Sequence, residues 1–241
     1  MVVQSFDTIW RATGPYLPTN SSKAGLFDET RQFLRVLDER RDLEATRLAL
    51  LDGGLLQRSR FTRMTILQFI KRRLFGWQPP AWVVDDLIAF ARDPSPDALQ
   101  AALLLHVCRQ DTLLYDLAQK VIVPRWQEEQ REISRSDVQR FLDEAASGHP
   151  EVETWTHATR EKLAGNLLSI LRDYGLLRGS AQKQIVEPTV PSPVAEHLIR
   201  LLLAEGISPA EIPHHPDWRL WLWDAERAAL AQRAMTQEGR S

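Results

Sequence analysis

The chain has 241 residues, enough for one large domain or two small ones with a buried core. Its 44% hydrophobic and 26% charged residues describe a globular chain rather than a disordered or membrane-embedded one. Lys+Arg 30 against Asp+Glu 32 leaves a net charge of -2, which excludes a uniformly basic, histone-like coat. The single cysteine, Cys108, excludes an internal disulfide framework and a multi-cysteine zinc site, and it fits a reduced, cytoplasmic setting. The opening MVVQSFDTIWRATG has no charged start ahead of an apolar core, so no secretory signal is expected. The densest apolar run, Ala101 to Cys108, falls far short of the ~20 residues that span a bilayer.

In chain order, Asp42-Leu43-Glu44 opens a short amphipathic segment that Gly53-Gly54 stops. Ser59 is placed to cap a helix running to Phe75, with Gly76 where a left-handed residue would end it. Pro79-Pro80 starts a helix over Trp82 to Arg92, and Asp93-Pro94-Ser95-Pro96 breaks it. Ala98 to Lys120 carries apolar stripes that predict two core helices, broken near Gln110-Asp111. Ser134-Arg135-Ser136-Asp137 has capping-box spacing ahead of a helix over Asp137 to Ala146. A short turn at Glu151 to Trp155 follows, and then a helix capped by Thr156 or Thr159 runs to Tyr174.

After Gly175 the pattern turns extended: Leu176-Leu177-Arg178, a Gly179-Ser180 turn, then Gln184-Ile185-Val186-Glu187. Ser192-Pro193 opens one more helix to about Glu205, and a Pro-, His- and Trp-rich tail leads into a polar helix. The predicted fold class is mainly α: an N-terminal helical bundle followed by a winged helix-turn-helix-like unit with one small β-hairpin. The predicted divisions are 1–131, 132–205 and 206–241.

Charge along the chain is uneven. Between Asp52 and Asp85 lie Arg58, Arg60, Arg63, Lys71, Arg72 and Arg73 with no acid, a charge of +6 against -8 elsewhere. Such a stretch suits anionic phosphate, although a solvated helix pairing with Asp85 and Asp86 is an equal reading. The predicted helix 159–174 buries Leu163, Leu167, Ile170, Leu171 and Tyr174 on one face. Its opposite face presents Lys162, Gly165, Asn166, Ser169 and Arg172, which suits a DNA groove, with Arg178 and Lys183 flanking the hairpin. An ordinary surface helix of a protein adaptor would look the same.

Catalytic constellations are weak. His214-His215 and His106 with Cys108 lack metal-ligand spacing, Asp217 with Asp224-Ala225-Glu226-Arg227 is faintly like a metal-dependent nuclease pattern but lacks its lysine and lies in a helical tail, and no phosphate-binding glycine loop occurs. No enzyme, metal, cofactor or small-molecule substrate is expected. Trp218, Trp221 and Trp223 are read either as anchors of the tail or as a partner-docking patch.

Three sets of motifs then carry a resemblance. They are Leu55-Leu56-Gln57-Arg58-Ser59-Arg60 through Lys71-Arg72-Arg73-Leu74, and Leu103-Leu104-Leu105 with Cys108-Arg109 and Leu114-Tyr115-Asp116. The third is Thr156, Thr159-Arg160 and Lys162-Leu163 followed by Leu171-Arg172-Asp173-Tyr174-Gly175-Leu176-Leu177, with Pro188 and Pro191-Ser192-Pro193 beyond. In order and spacing, over about residues 24–205, the chain resembles the BrxA family of bacterial BREX phage-defence systems. The resemblance implies a mostly helical, cytoplasmic, non-enzymatic protein of NusB-like and helix-turn-helix fold. It also implies binding of double-stranded DNA beside the methyltransferase and ATPase of the system. No membrane association is expected, because no segment of the sequence could span a bilayer. An assembly adaptor without DNA contact and an RNA-binding protein are the alternative readings.

Overall fold

The computed structural model describes residues 10–180 and 182–238, and among these the chain is mainly helical. A 3-10 turn at Pro18–Ser21 precedes helices α1 (Phe27–Arg40), α2 (Leu43–Ala49), α3 (Arg60–Phe75), α4 (Ala81–Arg92) and α5 (Asp97–Arg109). Helices α6 (Thr112–Leu117) and α7 (Val123–Gln127) are joined through a π turn at Ala118–Ile122. Then come β1 (Glu132–Ile133), α8 (Arg135–Ala145), α9 (His157–Asp173), β2 (Leu177–Arg178), β3 (Lys183–Ile185), α10 (Ser192–Ala204) and, after two 3-10 turns, α11 (Ala225–Glu238).

The helix boundaries follow local chemistry. Asp111 ends the core pair where the sequence predicts a break, its Oδ1 accepting from Leu114 N at 2.9 Å to start α6. Ser134 and Asp137 form the full capping box of α8, and Thr156 caps α9 by accepting from Thr159 N. Two expectations fail at α3. Ser59 makes no side-chain capping bond, and Gly76 is right-handed at φ -64 while Gln78 takes the left-handed turn at φ 54. Gly76 is needed for space instead, because a Cβ there would sit 2.6 Å from the Arg72 carbonyl oxygen.

The hairpin is part of a larger sheet. β3 pairs antiparallel with β2 (Leu177 opposite Ile185) and with β1 (Ile133 opposite Lys183), giving the order β1-β3-β2. β1 has two residues and no periodicity of its own, so the sequence alone does not reveal it. The hydrophobic core is one continuous cluster from Tyr16 to Ala228, centred on α5, whose residues Leu99 and Ala101 to Arg109 are nearly all inaccessible. None of the helices among the described residues is long and apolar enough to cross a membrane.

Buried ionic and polar groups tie distant elements together. Arg109 on α5 pairs with both Glu205 and Asp217, and the Tyr115 hydroxyl donates to Asp217 at 2.8 Å. His106 Nε2 and His197 Nε2 are hydrogen-bonded at 2.8 Å, and His197 Nδ1 meets Asp86 at 2.7 Å, so one chain of contacts links α5, α10 and α4. Burial, followed by the neighbouring His197 and Arg109, holds the His106 pKa well below its ordinary value. Cys108 is fully buried and its thiol is pushed far up, which makes it inert. Asp217 is committed to Arg109 and Tyr115, which removes it from any nuclease-like arrangement with Asp224 and Glu226.

Candidate nucleic-acid interface

The cations of the acid-free segment divide into two kinds. Arg73 is buried: its Nη1 donates to the Gly25 carbonyl at 3.0 Å, and its Nη2 to Asn20 Oδ1 at 2.8 Å and the Ala24 carbonyl at 3.0 Å. Arg63 folds back onto the turn before α3, donating to the carbonyls of Leu51, Gln57 and Arg58 at 2.6–3.0 Å. These two are structural staples, contrary to the expectation that they face phosphate, because the donors they aim into the fold bond the carbonyls and the Asn20 side chain of the loops they pin. Arg58, Arg60 and Lys71 are exposed, Arg72 lies over the Phe69 ring at 4.7 Å, and Lys71 lies near enough to Glu44 to help lower its pKa.

The predicted inner face of α9 is realised: Leu163, Leu167, Ile170, Leu171 and Tyr174 are all buried. Its outer face is shared with the segment around Asn20. Asn166 Nδ2 donates to the Asn20 carbonyl at 2.9 Å. Further along, Gly25 N donates to Asp173 Oδ2 at 3.2 Å and the Tyr174 hydroxyl to the Gly25 carbonyl at 2.5 Å. This ridge, held from behind by Arg73, covers the middle and C-terminal end of the face. Asn166 is therefore not free to read a base edge with that amide hydrogen, and Arg172 is drawn onto Asp173 at 2.8 Å. Ser169 donates to the Gly165 carbonyl within its own helix.

Between the ridge and the N-terminal part of α9 opens a polar cleft of about 940 Å³. Ser21, Ser22, Arg135, Thr156, Thr159, Lys162, Gly165, Asn166 and Ser169 line it, and among the described residues Glu161 is the one acid on its walls. Arg135 is the residue that the sequence reading missed. The capping box fixes it at the first position of α8, and it lies across Gly165, where a Cβ would come within 3.3 Å of its Nε. Lys183 on β3 feels the same field: burial, then Arg172 and Arg135, lower its pKa. Arg178 is exposed on β2, and among the described residues Arg135, Lys162 and Arg178 make no ion pair.

The three tail tryptophans are core, which corrects the docking reading. Trp218, Trp221 and Trp223 are 1%, 0% and 7% exposed, and Trp218 and Trp223 stack in parallel with centroids 5.6 Å apart. Trp221 Nε1 donates to the Ala101 carbonyl at 3.0 Å, which fastens the tail to α5. The described residues contain no cluster of His, Cys, Asp and Glu able to hold a metal ion.

Among solved structures, the chain is similar to an uncharacterized protein from Magnetospirillum magneticum, with 20% identity and a TM-score of 0.62. That match covers 81% of this chain and 100% of the other, and it speaks to the fold. No curated protein matches the chain. The family model for BrxA matches residues 15–201, through α1 to α10 and the sheet, so the chain belongs to the BrxA family, which points to a component of BREX phage defence.

Proposed function

We propose that this protein is a non-enzymatic, cytoplasmic accessory protein that binds double-stranded DNA through α9, the sheet and the cleft beside them. The observation that carries this reading is the two cations without ion pairs among the described residues that line the cleft, Arg135 and Lys162, with Lys183 in the field of Arg135. Duplex DNA supplies a dense array of phosphates for such a group, and hydroxyls at Ser21, Ser22, Thr156 and Thr159 add neutral donors. The order of elements supports it. A helix ending at Gln127, β1, α8, α9 and the β2-β3 hairpin is the order of a winged helix-turn-helix, with α9 in the recognition position and the Gly179 turn as the wing. The ridge at Asn20 limits groove entry to the N-terminal half of α9. Exposed Arg58, Arg60 and Lys71 on and before α3 add backbone contacts at most.

A gel-shift series on duplex DNA at rising salt tests the proposal. Affinity should fall steeply with salt, and the combined Arg135→Ala, Lys162→Ala and Lys183→Ala variant should bind more than about tenfold more weakly. Absence of binding at low salt, or an unchanged triple variant, refutes it.

A second reading, docking onto the methyltransferase, ATPase or another component of the defence system, has its own observation. Leu56, in the turn before α3, is 99% exposed, and Phe61, in its first turn, is 72% exposed. Pull-down from cells carrying the whole system, with Leu56→Asp and Phe61→Asp, separates it: loss of the complex with intact duplex binding favours docking.

A further inference from the structure

The turn that enters α3 holds an apolar knob in water on a fixed backbone. Leu56 is 99% exposed, yet Arg63 pins the chain on both sides of it through the carbonyls of Leu51, Gln57 and Arg58. Gln57 Nε2 also donates to Glu29 Oε1 at 2.7 Å, which ties the turn to α1. Phe61 and Met64, exposed as well, fall at 100° per residue on the face of α3 opposite the buried Ile66, Ile70 and Leu74. Three exposed apolar side chains on one pinned segment contribute nothing to the monomer's core, and such clusters mark contact sites.

Beside the knob lies a groove of about 410 Å³, between the start of α1 and the same turn. Leu55 and Leu56 give it an apolar side, and Asp28, Glu29 and Gln32 of α1 give it an acidic one. Just beyond Leu56 in the chain come Arg58 and Arg60, both exposed, and Asp52 is exposed ahead of it. Among the described residues Asp28, Glu29, Arg58 and Arg60 make no ion pair with one another or with any other group. One face therefore carries a knob, a groove, free acids and free cations.

We propose that this face is self-complementary, and that two copies of the chain meet on it across a twofold axis. Each copy places Leu56 and Phe61 against the groove of the other, and Arg58 and Arg60 of each meet Asp28 and Glu29 of the other. An isologous contact requires that one patch complement itself, so that every pairing occurs twice. Charge selects this occupant. A uniformly acidic protein or a nucleic acid would suit the arginines but be repelled at Asp28 and Glu29, whereas a second copy presents both signs beside an apolar patch. The apolar side chains supply the affinity, because exposed ion pairs contribute little, and the charges set the register. The inference goes beyond the DNA-binding reading, and it gives to a second copy the side chains that the docking reading gives to another component.

Sedimentation velocity of the full-length chain without DNA, over about 1 to 200 μM, tests the proposal. The expected result is a concentration-dependent shift from monomer to dimer with no larger species, because a twofold contact closes on itself. Leu56→Asp, at a position free of packing, should weaken dimerisation by about tenfold or more. Two charge variants keep the test independent of folding defects. The chain with Asp28→Lys and Glu29→Lys, and the chain with Arg58→Glu and Arg60→Glu, should each stay monomeric where the parent dimerises. An equimolar mixture of the two should form a heterodimer, since both contacts between acid and cation are then restored. The proposal is overturned by a monomer across the whole range, by mass rising past the dimer, by a dimer that Leu56→Asp leaves unchanged, or by a mixture that fails to associate. A monomeric parent whose Leu56→Asp variant loses a component in the whole-system pull-down gives the face to that component instead. No DNA is present in the cell, so the outcome is independent of the α9 cleft.

Discussion

Replacing Arg73 by alanine tests whether the basic segment of α3 is internal scaffolding at one end and free surface at the other. The side chain makes three hydrogen bonds, to Gly25 O, Asn20 Oδ1 and Ala24 O, and is 6% exposed. Bonds from a charged donor are worth about 1.5–3 kcal/mol each in isolation, but three on one guanidinium do not add fully. Desolvating the guanidinium offsets part of the gain, and its loss strands three buried acceptors. A destabilisation on the order of 3–5 kcal/mol follows, against less than about 0.5 kcal/mol for Arg60→Ala at an exposed position. Urea unfolding of both variants measures the difference. Because Arg73 holds the ridge that covers part of α9, the peptide around residues 20–25 should also lose amide-exchange protection ahead of the rest of the chain. An Arg73→Ala protein within about 1 kcal/mol of wild type would refute the assignment of Arg73 as a staple and return it to the phosphate-binding candidates.

Three further outcomes follow from the same structure. Trp221→Ala should cost about 3–5 kcal/mol in urea unfolding, since a fully buried indole bonded to Ala101 is lost, with no effect on duplex affinity per folded molecule. His106→Gln should flatten the fall of stability between about pH 7 and 5, a slope of at most ~1.4 kcal/mol per pH unit for one proton. The sign follows from the depressed pKa of His106: below its ordinary value the unfolded chain takes a proton that the native core refuses, so native stability is lost as pH falls. His215, also lowered by burial, keeps some of the slope, and the raised carboxyls of Asp111 and Glu205 oppose it. Gly165→Ala should raise stability by about 0.5–1 kcal/mol through helix propensity while weakening duplex binding, because the new methyl displaces the Arg135 guanidinium from the cleft floor.

How far the fold was legible depended on how local its cause was. Asp111, Ser134 with Asp137, and Thr156 act within three residues, and the helices they start lie where the sequence puts them. The apolar periodicity of α9 reports a single buried face, and that face is buried. β1 could not be read, because a two-residue strand exists only by pairing with β3 fifty residues on. Gly76 was read for its permissive φ, whereas its reason is the Arg72 carbonyl beneath it.

The candidate site was less legible for the same physical reason. Net charge counts cations, but a cation reaches a ligand only if its donors are not already engaged, and the acceptors that engage them lie far off in sequence. Arg73 binds residues 48 to 53 positions away, and Asn166 binds one 146 positions away. Arg135, by contrast, stood in plain view beside the Ser134 cap, yet nothing local distinguishes it from Arg131 or Arg140. What distinguishes it is Gly165, thirty residues later, whose missing Cβ leaves the floor on which the guanidinium lies. The +6 of the 53–84 stretch thus overstates one surface, and the near-neutral total conceals another, built on Arg135 and Lys162, with Lys183 beside Arg135 although one of its donors is held by the Ser180 carbonyl at 2.9 Å. Only three of the six cations that first drew attention, Arg58, Arg60 and Lys71, are both exposed and unengaged by carbonyl or ring. An interface built around α9 should therefore lose more affinity from the Arg135, Lys162 and Lys183 substitutions than from alanine at those three, although the latter lie in the more basic sequence.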